Sequence, residues 1–254
     1  MPVPPPATTF RAVIGHQLVV VADAHLGAPS AGSEEPFLAF LDAVPSLGDT
    51  LLLAGDIYDF WFTYKRLIPR HCIRVTARLI ELARRMPVLM IGGNHDRWGD
   101  SFWDAETGIW FDRRQLQFEI DGRQVLAVHG DGLHEEHASA SVLNRLLDHR
   151  AVIAAFDLLP AAAGFRIAGH LGHDPAFAAA HPEIIAQAVA RQAAWAARTL
   201  TAHPDVGALV MGHTHRTALQ ECLPGQWYLN PGAWLGEQRY ATLTGSALNL
   251  ASFA

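Results

Sequence analysis

The sequence predicts an α/β fold in which two mixed β-sheets pack face to face and are flanked by helices. Short apolar runs alternate with helical patterns between residues 17 and 91, as in parallel βαβ units. Paired apolar runs joined by turn residues follow, which is typical of antiparallel hairpins. Polar residues end several of the apolar runs, at the sheet edge where open α/β sheets usually bind ligands.

The amino-terminal part of the chain alternates predicted strands and helices. Continuous apolar runs indicate buried strands at residues 17–22, 50–54 and 87–91. Helical periodicity indicates helices at residues 34–44 and 71–85. Ser33 is the expected cap of the first helix, and Val75, Leu79 and Leu82 share one face of the second. This order predicts parallel strand pairing, with helices on the faces of the sheet.

Hairpin patterns dominate the rest of the predicted sheets. The turn sequence Asp121-Gly122 joins apolar runs at 115–120 and 123–128. Further strands are predicted at residues 206–211, 216–221 and 226–229, with a closing hairpin around residues 244–246.

An alanine-rich helical insertion interrupts the strands at about residues 133–205, inside a single domain that is expected to span residues 1–254. In its last helix Arg191, Trp195 and Arg198 lie at i, i+4 and i+7, which places a basic and aromatic stripe on one face. The insertion is positioned either to cap a site or simply to pack on the sheet.

Composition excludes several classes of protein. The net charge of -6 argues against a general nucleic-acid binder, so no nucleic-acid partner is expected. Two cysteines do not make a disulfide framework, and the first residues lack a signal-peptide pattern. No apolar run of about 18 residues is present, so a cytoplasmic protein is expected. The oligomeric state is left open.

Five short polar segments carry the expected chemistry, and each directly follows an apolar run. They are Asp23-Ala-His25, Gly55-Asp56-Ile-Tyr-Asp59, Gly93-Asn94-His95-Asp96, His129-Gly-Asp131 and Gly212-His213-Thr-His215. Any one of them alone is a common turn sequence. All five in this order are hard to obtain by chance, so we interpret them as one site.

These segments offer oxygen and nitrogen ligands for two metal ions. Asp23 and His25 point the same way in extended backbone, and Asp56 has two carboxylate oxygens with which to bridge two ions. The remaining candidate ligands are the Asn94 amide oxygen and the imidazoles of His129, His213 and His215. A mixed shell without thiolate favours manganese, iron or zinc over calcium. Two such ions activate water for attack on phosphorus.

The ordered set resembles the calcineurin-like metallophosphoesterase superfamily, whose pattern is D-x-H, G-D-x-x-D, G-N-H-D/E, H and G-H-x-H. The resemblance implies a first metal held by Asp23, His25, Asp56 and His215. It implies a second metal held by Asp56, Asn94, His129 and His213. His95 would act as general acid or transition-state donor, oriented by Asp59, while Asp96 would stabilise the turn.

Four segments are similar to the UDP-diacylglucosamine pyrophosphohydrolases of lipid A synthesis. They are residues 55–62, 129–132, 212–216 and 230–234. This resemblance implies manganese, a lipid-linked nucleotide substrate and peripheral association with the inner membrane surface. The chain departs from many members by having His95 in place of arginine and no lysine in its insertion. A phosphodiesterase or phosphatase for a soluble small molecule, and a binding scaffold without turnover, are the alternatives.

Five residues are candidate substrate contacts: Asp131, Arg191, Trp195, Arg198 and Arg216. Arg216 directly follows His215, so it either contacts a phosphate oxygen or pairs with Asp131 or Glu237. The aromatic side chains of Trp61, Phe62 and Trp98 lie close to the motifs in sequence, and they belong either to the core or to a ligand pocket.

Overall fold

The computed structural model describes residues 11–62, 67–70, 73–99, 102–132, 152–153, 156, 158–160, 163–164 and 181–254. Its strands are β1 (Arg11–Val13), β2 (Leu18–Val21), β3 (Thr50–Leu53), β4 (Val88–Ile91), β5 (Trp110–Asp112), β6 (Gln115–Ile120), β7 (Arg123–Val128), β8 (Ala208–Val210), β9 (Ala218–Leu223), β10 (Gln226–Asn230), β11 (Arg239–Leu243) and β12 (Leu248–Ser252). The helices are α1 (Glu35–Leu47), α2 (Ile73–Ala83) and α3 (Pro182–Ala202), with a short π-helical turn at Trp103–Thr107.

The strands form two six-stranded sheets. The first has the order β1-β6-β7-β8-β10-β9 and the second the order β12-β11-β2-β3-β4-β5. In the second sheet β2–β3, β3–β4 and β4–β5 are parallel pairs, whereas β11–β2 is antiparallel. In the first sheet β6–β7 is an antiparallel hairpin, whereas β7–β8 is parallel. Both sheets are therefore mixed, which confirms the predicted fold class.

Buried side chains form three apolar layers around these sheets. Leu52 of the second sheet and Phe118 and Val210 of the first belong to the layer between the sheets. The other face of the second sheet packs against α1 and α2, and the other face of the first sheet packs against α3. Burial of these apolar surfaces is the main driving force for folding. It also fixes the two sheets so that the loops after their strands meet at one edge.

The predicted elements agree with the structure except at short strands and helix ends. The face of α2 formed by Val75, Leu79 and Leu82 is buried, as predicted. Glu34 precedes α1 as its cap residue, and Ser33 Oγ accepts the backbone N–H of Glu35 over 3.2 Å. The three-residue strands β1 and β5 were not predicted, because three residues are too few to show a periodicity.

The predicted helical insertion lies mostly outside the described residues. The structure describes a few positions between 152 and 164 and then helix α3, which covers the last part of the insertion. Its extent as an insertion in a single domain stays a prediction. Across the described part of the chain, none of the helices combines the length and the hydropathy needed to cross a bilayer.

Candidate metal centre

The five polar segments lie in loops that follow β2, β3, β4, β7 and β8. Backbone hydrogen bonds connect neighbouring loops within each sheet, and the N–H of His213 donates to the Asp23 carboxylate over 3.0 Å between the two sheets. The N–H of Asp23 donates to Gly55 O over 3.0 Å, and the N–H of Gly212 donates to His129 O over 2.9 Å. The segments that were predicted to form one site are therefore held together by the fold.

The backbone of this site is strained. Among the described residues, seven that are not glycine have a positive φ angle, and five of the seven are predicted metal ligands. These five are Asp23 (53°), His25 (46°), Asp56 (53°), His213 (70°) and His215 (55°). The left-handed conformation costs an L-residue roughly 1–2 kcal/mol. Such strain clusters at functional sites, because the surrounding structure must hold it in place.

The side chains form three overlapping groups of potential ligands. One of them, His25, Asp56 and His95, links the other two, which we call the first and the second cluster. Asp23, His25 and His215 make the first, with 3.2 Å between His25 Nε2 and His215 Nε2 and 3.5 Å between His215 Nε2 and Asp23 Oδ1. Asp56, His129 and His213 make the second. Within each cluster the ligand atoms lie within 4.8 Å of one another. This spacing suits atoms that surround a common cation.

His129 tests whether the second cluster fits a metal. Its Nδ1 lies 2.9 Å from Ala54 O, and because a carbonyl can only accept, Nδ1 carries the hydrogen. In the neutral ring, which is the form that binds a metal, Nε2 is then a lone pair, and it is buried without a hydrogen-bond partner among the described residues. It lies 3.1 Å from Asp56 Oδ2. Two acceptors that face each other in a buried site fit a cation between them.

Asp56 lies between the two clusters, and one of its carboxylate oxygens is close to both. Its Oδ1 accepts the backbone N–H of His95 over 2.9 Å. Its Oδ2 lies 3.1 Å from His129 Nε2 and 3.9 Å from His25 Nε2. The sequence suggested that both oxygens of Asp56 bridge two ions. In the structure Oδ2 is the oxygen that faces both clusters, while Oδ1 accepts one hydrogen bond, so bridging by Asp56 stays a prediction.

The loop after β4 approaches Asp56 very closely. A Cβ atom on Gly93 would overlap Asp56 Oδ1, so glycine is needed here for close approach of the backbone. Asn94 is exposed in the turn between Gly93 and His95, the two residues whose backbone contacts Asp56.

Asp96 joins the same loop to the loop of Asp56. Its Oδ1 accepts the N–H groups of Gly93 (2.8 Å) and Asp56 (3.2 Å). Its Oδ2 accepts those of Ile57 (2.8 Å) and Tyr58 (3.3 Å). The sequence predicted that Asp96 stabilises its own turn, and the structure adds three bonds to the neighbouring loop. This buried carboxylate thus fixes two predicted metal loops relative to each other.

Electrostatics link the ionisation of these groups. Burial raises the pKa of Asp23 to about 7. Burial disfavours the charged form of His129, but the carboxylates of Asp56, Asp23 and Asp131 outweigh it and raise the pKa of His129 to about 10. Burial also opposes ionisation of Asp56, yet His129, His95 and His25 hold its pKa well below the usual value. Without a metal, the site therefore retains protons that compete with cations.

His95 and Asp59 lie beside the first cluster. The Nδ1–H of His95 donates to the backbone O of Asp59 over 2.8 Å, so Nε2 is left to face the site. Rings of His95 and His25 are 4.8 Å apart. The Asp59 carboxylate lies 3.5 Å from His25 Nδ1 and 3.9 Å from His95 Nδ1. Asp59 therefore orients His95 through its backbone, while its side chain lies closer to His25.

The sequence model of the calcineurin-like phosphoesterases matches residues 16–217 of the chain. The chain belongs to this family. As a calcineurin-like phosphoesterase it is a metal-dependent hydrolase of phosphoesters. The two ligand clusters are consistent with the divalent metals that the family uses.

Two curated relatives of this phosphoesterase carry the same name. The UDP-2,3-diacylglucosamine hydrolase of Escherichia coli O81 (strain ED1a) is 26% identical over 236 residues, which is 92% of this chain and 97% of that protein. The UDP-2,3-diacylglucosamine hydrolase of Porphyromonas gingivalis is 27% identical over 128 residues, which is 48% of each. Among solved structures, the phosphoesterase Yfce of E. coli matches 93% of both chains at 15% identity and a TM-score of 0.45.

The predicted partners of Arg216 in this phosphoesterase are engaged elsewhere. Asp131 Oδ2 accepts a hydrogen bond from Arg97 Nη2 over 2.7 Å, and Glu237 pairs with Arg239 over 3.2 Å. Arg216 itself is exposed. The proposed structural pairs of Arg216 are therefore wrong. Arg97, which the sequence reasoning missed, joins the loop of His95 to the loop of His129 through Asp131.

The basic and aromatic stripe that was predicted on helix α3 is not an exposed surface in the structure. Trp195 is 2% exposed and packs in the apolar layer between α3 and the first sheet. Arg191 is half-buried and Arg198 is exposed, so the two arginines flank the face that Trp195 buries. The spacing established that the three residues share a side of the helix. In the structure the middle of that side, at Trp195, packs against the first sheet. The structure thus places Trp195 in the core rather than on a substrate surface.

Aromatic side chains form a separate group close to the catalytic loops. The Phe62 ring centroid lies 5.6 Å from that of Trp98 and 4.7 Å from that of Phe156, and Phe60 is 6.2 Å from Phe156. Phe156 comes from the insertion, whereas Phe60 follows Asp59 directly. Trp61 belongs to the core around α1 and α2, and Phe62 is buried as well. The phosphoesterase therefore carries an aromatic cluster, made of Phe60, Phe62, Trp98 and Phe156, next to its site in sequence.

Proposed function

We propose that this phosphoesterase cleaves the diphosphate of UDP-2,3-diacylglucosamine, or of a related lipid-linked nucleotide, in lipid A biosynthesis. The observation that carries the proposal is the alignment with the UDP-2,3-diacylglucosamine hydrolase of E. coli over 92% of the chain. A match of that extent includes the helical insertion as well as the metal loops. The aromatic cluster gives further support, because it joins the insertion to the segment after Asp59 and three of its rings, Phe60, Trp98 and Phe156, are only half-buried.

The proposal assigns the predicted ligands to two ions. The first is held by Asp23, His25, Asp56 and His215, and the second by Asp56, Asn94, His129 and His213. When bound, two divalent cations neutralise phosphate charge and lower the pKa of a water molecule that attacks phosphorus. Nitrogen and oxygen ligands without thiolate suit manganese, with iron and zinc as alternatives.

The chain's own groups orient and complete this chemistry. Ala54 O faces Nδ1 of His129, and the Asp59 carboxylate faces Nδ1 of His25. Nε2 of His129 therefore points into the second cluster and Nε2 of His25 into the first. His95 is held by Asp59 O with Nε2 toward the site, where it donates to a phosphate oxygen or protonates a leaving group. Arg216, Asp131, Arg191 and Arg198 stay proposed substrate contacts. The Asp131 carboxylate is paired with Arg97, so the two side chains would contact the substrate as an ion pair.

A second candidate function is hydrolysis of a small diester or monoester. The orientation of His95 favours it, because an alkoxide leaving group requires a proton and a phosphate leaving group does not. The lipid-linked substrate would place the enzyme in the cytoplasm at the inner face of the inner membrane, whereas the second candidate needs no membrane association. A scaffold without turnover is the remaining alternative.

Substrate cleavage separates these candidates. Manganese-loaded protein is incubated with UDP-2,3-diacylglucosamine in detergent, and with bis-p-nitrophenyl phosphate in a parallel reaction. We expect release of UMP and a lipid monophosphate, and the Asp56→Asn variant controls for contaminating enzymes. Cleavage of the short diester alone favours the second candidate. Cleavage of neither substrate by fully metal-loaded protein contradicts the enzymatic proposal and leaves the scaffold.

A further inference from the structure

Gln192 of helix α3 reaches the loops that carry the histidines of the second cluster. Its side chain is 1% exposed, and its Nε2 donates to Gly212 O over 2.9 Å. The same Nε2 lies so close to Gly130 that a Cβ atom there would overlap it. Gly130 directly follows His129, and Gly212 directly precedes His213. One amide group therefore contacts both loops.

The position of Gln192 on α3 makes this contact unusual. The buried face of the helix is otherwise largely apolar, with Ala188 and Ala196 one turn away on either side and Trp195 beside them. Burying an amide without a compensating hydrogen bond is unfavourable, because the group gives up its hydrogen bonds to water. The bond to Gly212 O offsets part of that cost, while Oε1 of Gln192 has no hydrogen-bond partner in the described part of the chain. Packing alone would favour an apolar side chain at this place.

Gly212 O is the point where several restraints on the loop converge. It accepts Asn230 Nδ2 over 2.9 Å and the N–H of Thr214 over 2.9 Å in addition to Gln192. The N–H of Gly212 donates to His129 O over 2.9 Å. The two loops are thus tied to each other by backbone, and Gln192 ties both of them to the helix. A shift of Gly212 moves the adjacent His213 directly.

We propose that Gln192 is a positioning residue for the second metal site, and this inference rests on the proposed function. Its amide holds the loops of His129 and His213 at the separation at which both imidazoles reach one ion. The affinity of the second site then depends on Gln192, whereas the first site, built by Asp23, His25 and His215, does not. Helix α3 is thereby coupled to one ion of the pair.

The test compares metal binding by Gln192→Met with two controls. Methionine keeps the length of the side chain and removes the amide. Thr199→Val alters the same buried face of α3 away from the loops, and Gln187→Leu alters the exposed face of the helix. Metal-free proteins are titrated with Mn²⁺ by calorimetry, and bound manganese is measured after equilibrium dialysis. Circular dichroism establishes that each variant is folded.

We expect wild type and both controls to bind two ions. Gln192→Met should keep one affinity and weaken the other about 10- to 100-fold, the range found when residues that orient metal ligands are lost. Repeating the titration in a His215→Ala background assigns the weakened site, because that background lacks a ligand of the first ion. Should Gln192→Met not fold, Gln192→Asn, which keeps the amide on a shorter stem, provides the same comparison.

Two results would overturn the inference while leaving the proposed function intact. One is unchanged binding of both ions by the Gln192 variants, and the other is equal weakening of both sites. Binding of at most one ion by wild type is a different outcome. It contradicts the two-metal assignment itself, and the role of Gln192 falls with it.

Discussion

Asp56 and Asp96 hold each other's loops in place through reciprocal hydrogen bonds. Asp96 Oδ1 accepts the backbone N–H of Asp56 over 3.2 Å, and Asp56 Oδ1 accepts the N–H of His95 over 2.9 Å. Each carboxylate thus fixes the backbone that carries or precedes the other. Asp56 Oδ2 is the oxygen that faces the two ligand clusters. The geometry of the site therefore depends on a residue that is not itself a predicted ligand.

Asp96→Asn should weaken both the fold and the activity. The substitution replaces one of two acceptor oxygens by an NH₂ group, which would face backbone N–H donors in a buried place. We expect a loss of about 1–3 kcal/mol in the free energy of unfolding, measured by urea denaturation. Activity toward bis-p-nitrophenyl phosphate with manganese should fall about 10- to 100-fold, because the ligand loops shift.

Asp112→Asn is the matched control for this substitution. Asp112 Oδ1 also accepts two backbone N–H groups, from Arg114 and Gln115, but it lies on an exposed turn. Solvent can replace those bonds, so stability should change by less than about 0.5 kcal/mol and activity should stay at the wild-type level. Equal effects of the two substitutions would contradict the role that we assign to Asp96.

His95→Arg should separate substrates by their leaving groups. Arginine keeps a positive charge for a phosphate oxygen but cannot release a proton near neutral pH. Cleavage of a diphosphate should be spared, since its phosphate leaving group needs no general acid. Cleavage of an ester with an alkyl leaving group, such as a glycerophosphodiester, should fall about 10²- to 10⁴-fold. The kcat values of both reactions provide the measurement, and the reverse pattern would refute this role of His95.

Trp195 and Arg198 should differ in what they contribute. Trp195→Ala removes a buried aromatic ring from the layer between α3 and the first sheet, so the free energy of unfolding should fall by about 3–5 kcal/mol. Arg198→Ala changes an exposed side chain, and stability should change by less than about 0.5 kcal/mol. If Arg198 contacts substrate, as proposed, KM for the lipid-linked nucleotide rises in Arg198→Ala. An unchanged KM would remove Arg198 from the substrate contacts.

Much of the fold could be predicted from sequence patterns. The hairpin of β6 and β7 was predicted at the bounds that the structure has, because Asp121-Gly122 is a strong turn signal and adopts positive φ at both residues. The four-residue strands β2, β3 and β4 were predicted within two residues, because continuous apolar runs mark strands that are buried on both faces. The three-residue strand β5 was missed for lack of a periodicity.

The site was predictable where its residues follow strands, and unpredictable where distant segments meet. Each segment that carries predicted ligands directly follows an apolar run, which gives a local signal. Gln192 is 20 residues from Gly212 and Arg97 is 34 residues from Asp131, so no local pattern indicates either contact. The error at Trp195 has a related cause. Helical spacing shows which residues share a side, but only packing decides whether that side faces solvent.

Protons and metals compete for the same groups in this site. Asp23 has its pKa raised from 3.8 to about 7, and His129 has its pKa raised from 6.5 to about 10. Both groups bind protons more tightly in the folded, metal-free protein than in the unfolded chain. The stabilisation from Asp23 is thus lost as pH rises from about 4 to 7, and that from His129 as pH rises from about 6.5 to 10. A bound cation requires the deprotonated forms.

Stabilisation by manganese should therefore grow with pH. Each step from pH 6 to 8 removes protons that the cation would otherwise have to displace, so its apparent affinity rises. Thermal unfolding at pH 6, 7 and 8, with Mn²⁺ or with EDTA, measures the shift in Tm. We expect the largest shift at pH 8, together with release of protons on binding that calorimetry in buffers of different ionisation enthalpy detects. Asp121→Asn, at an exposed turn away from the site, should reproduce the wild-type trend. If the shift in Tm caused by Mn²⁺ were the same at all three pH values, or smaller at pH 8, the cation would not displace protons from Asp23 and His129.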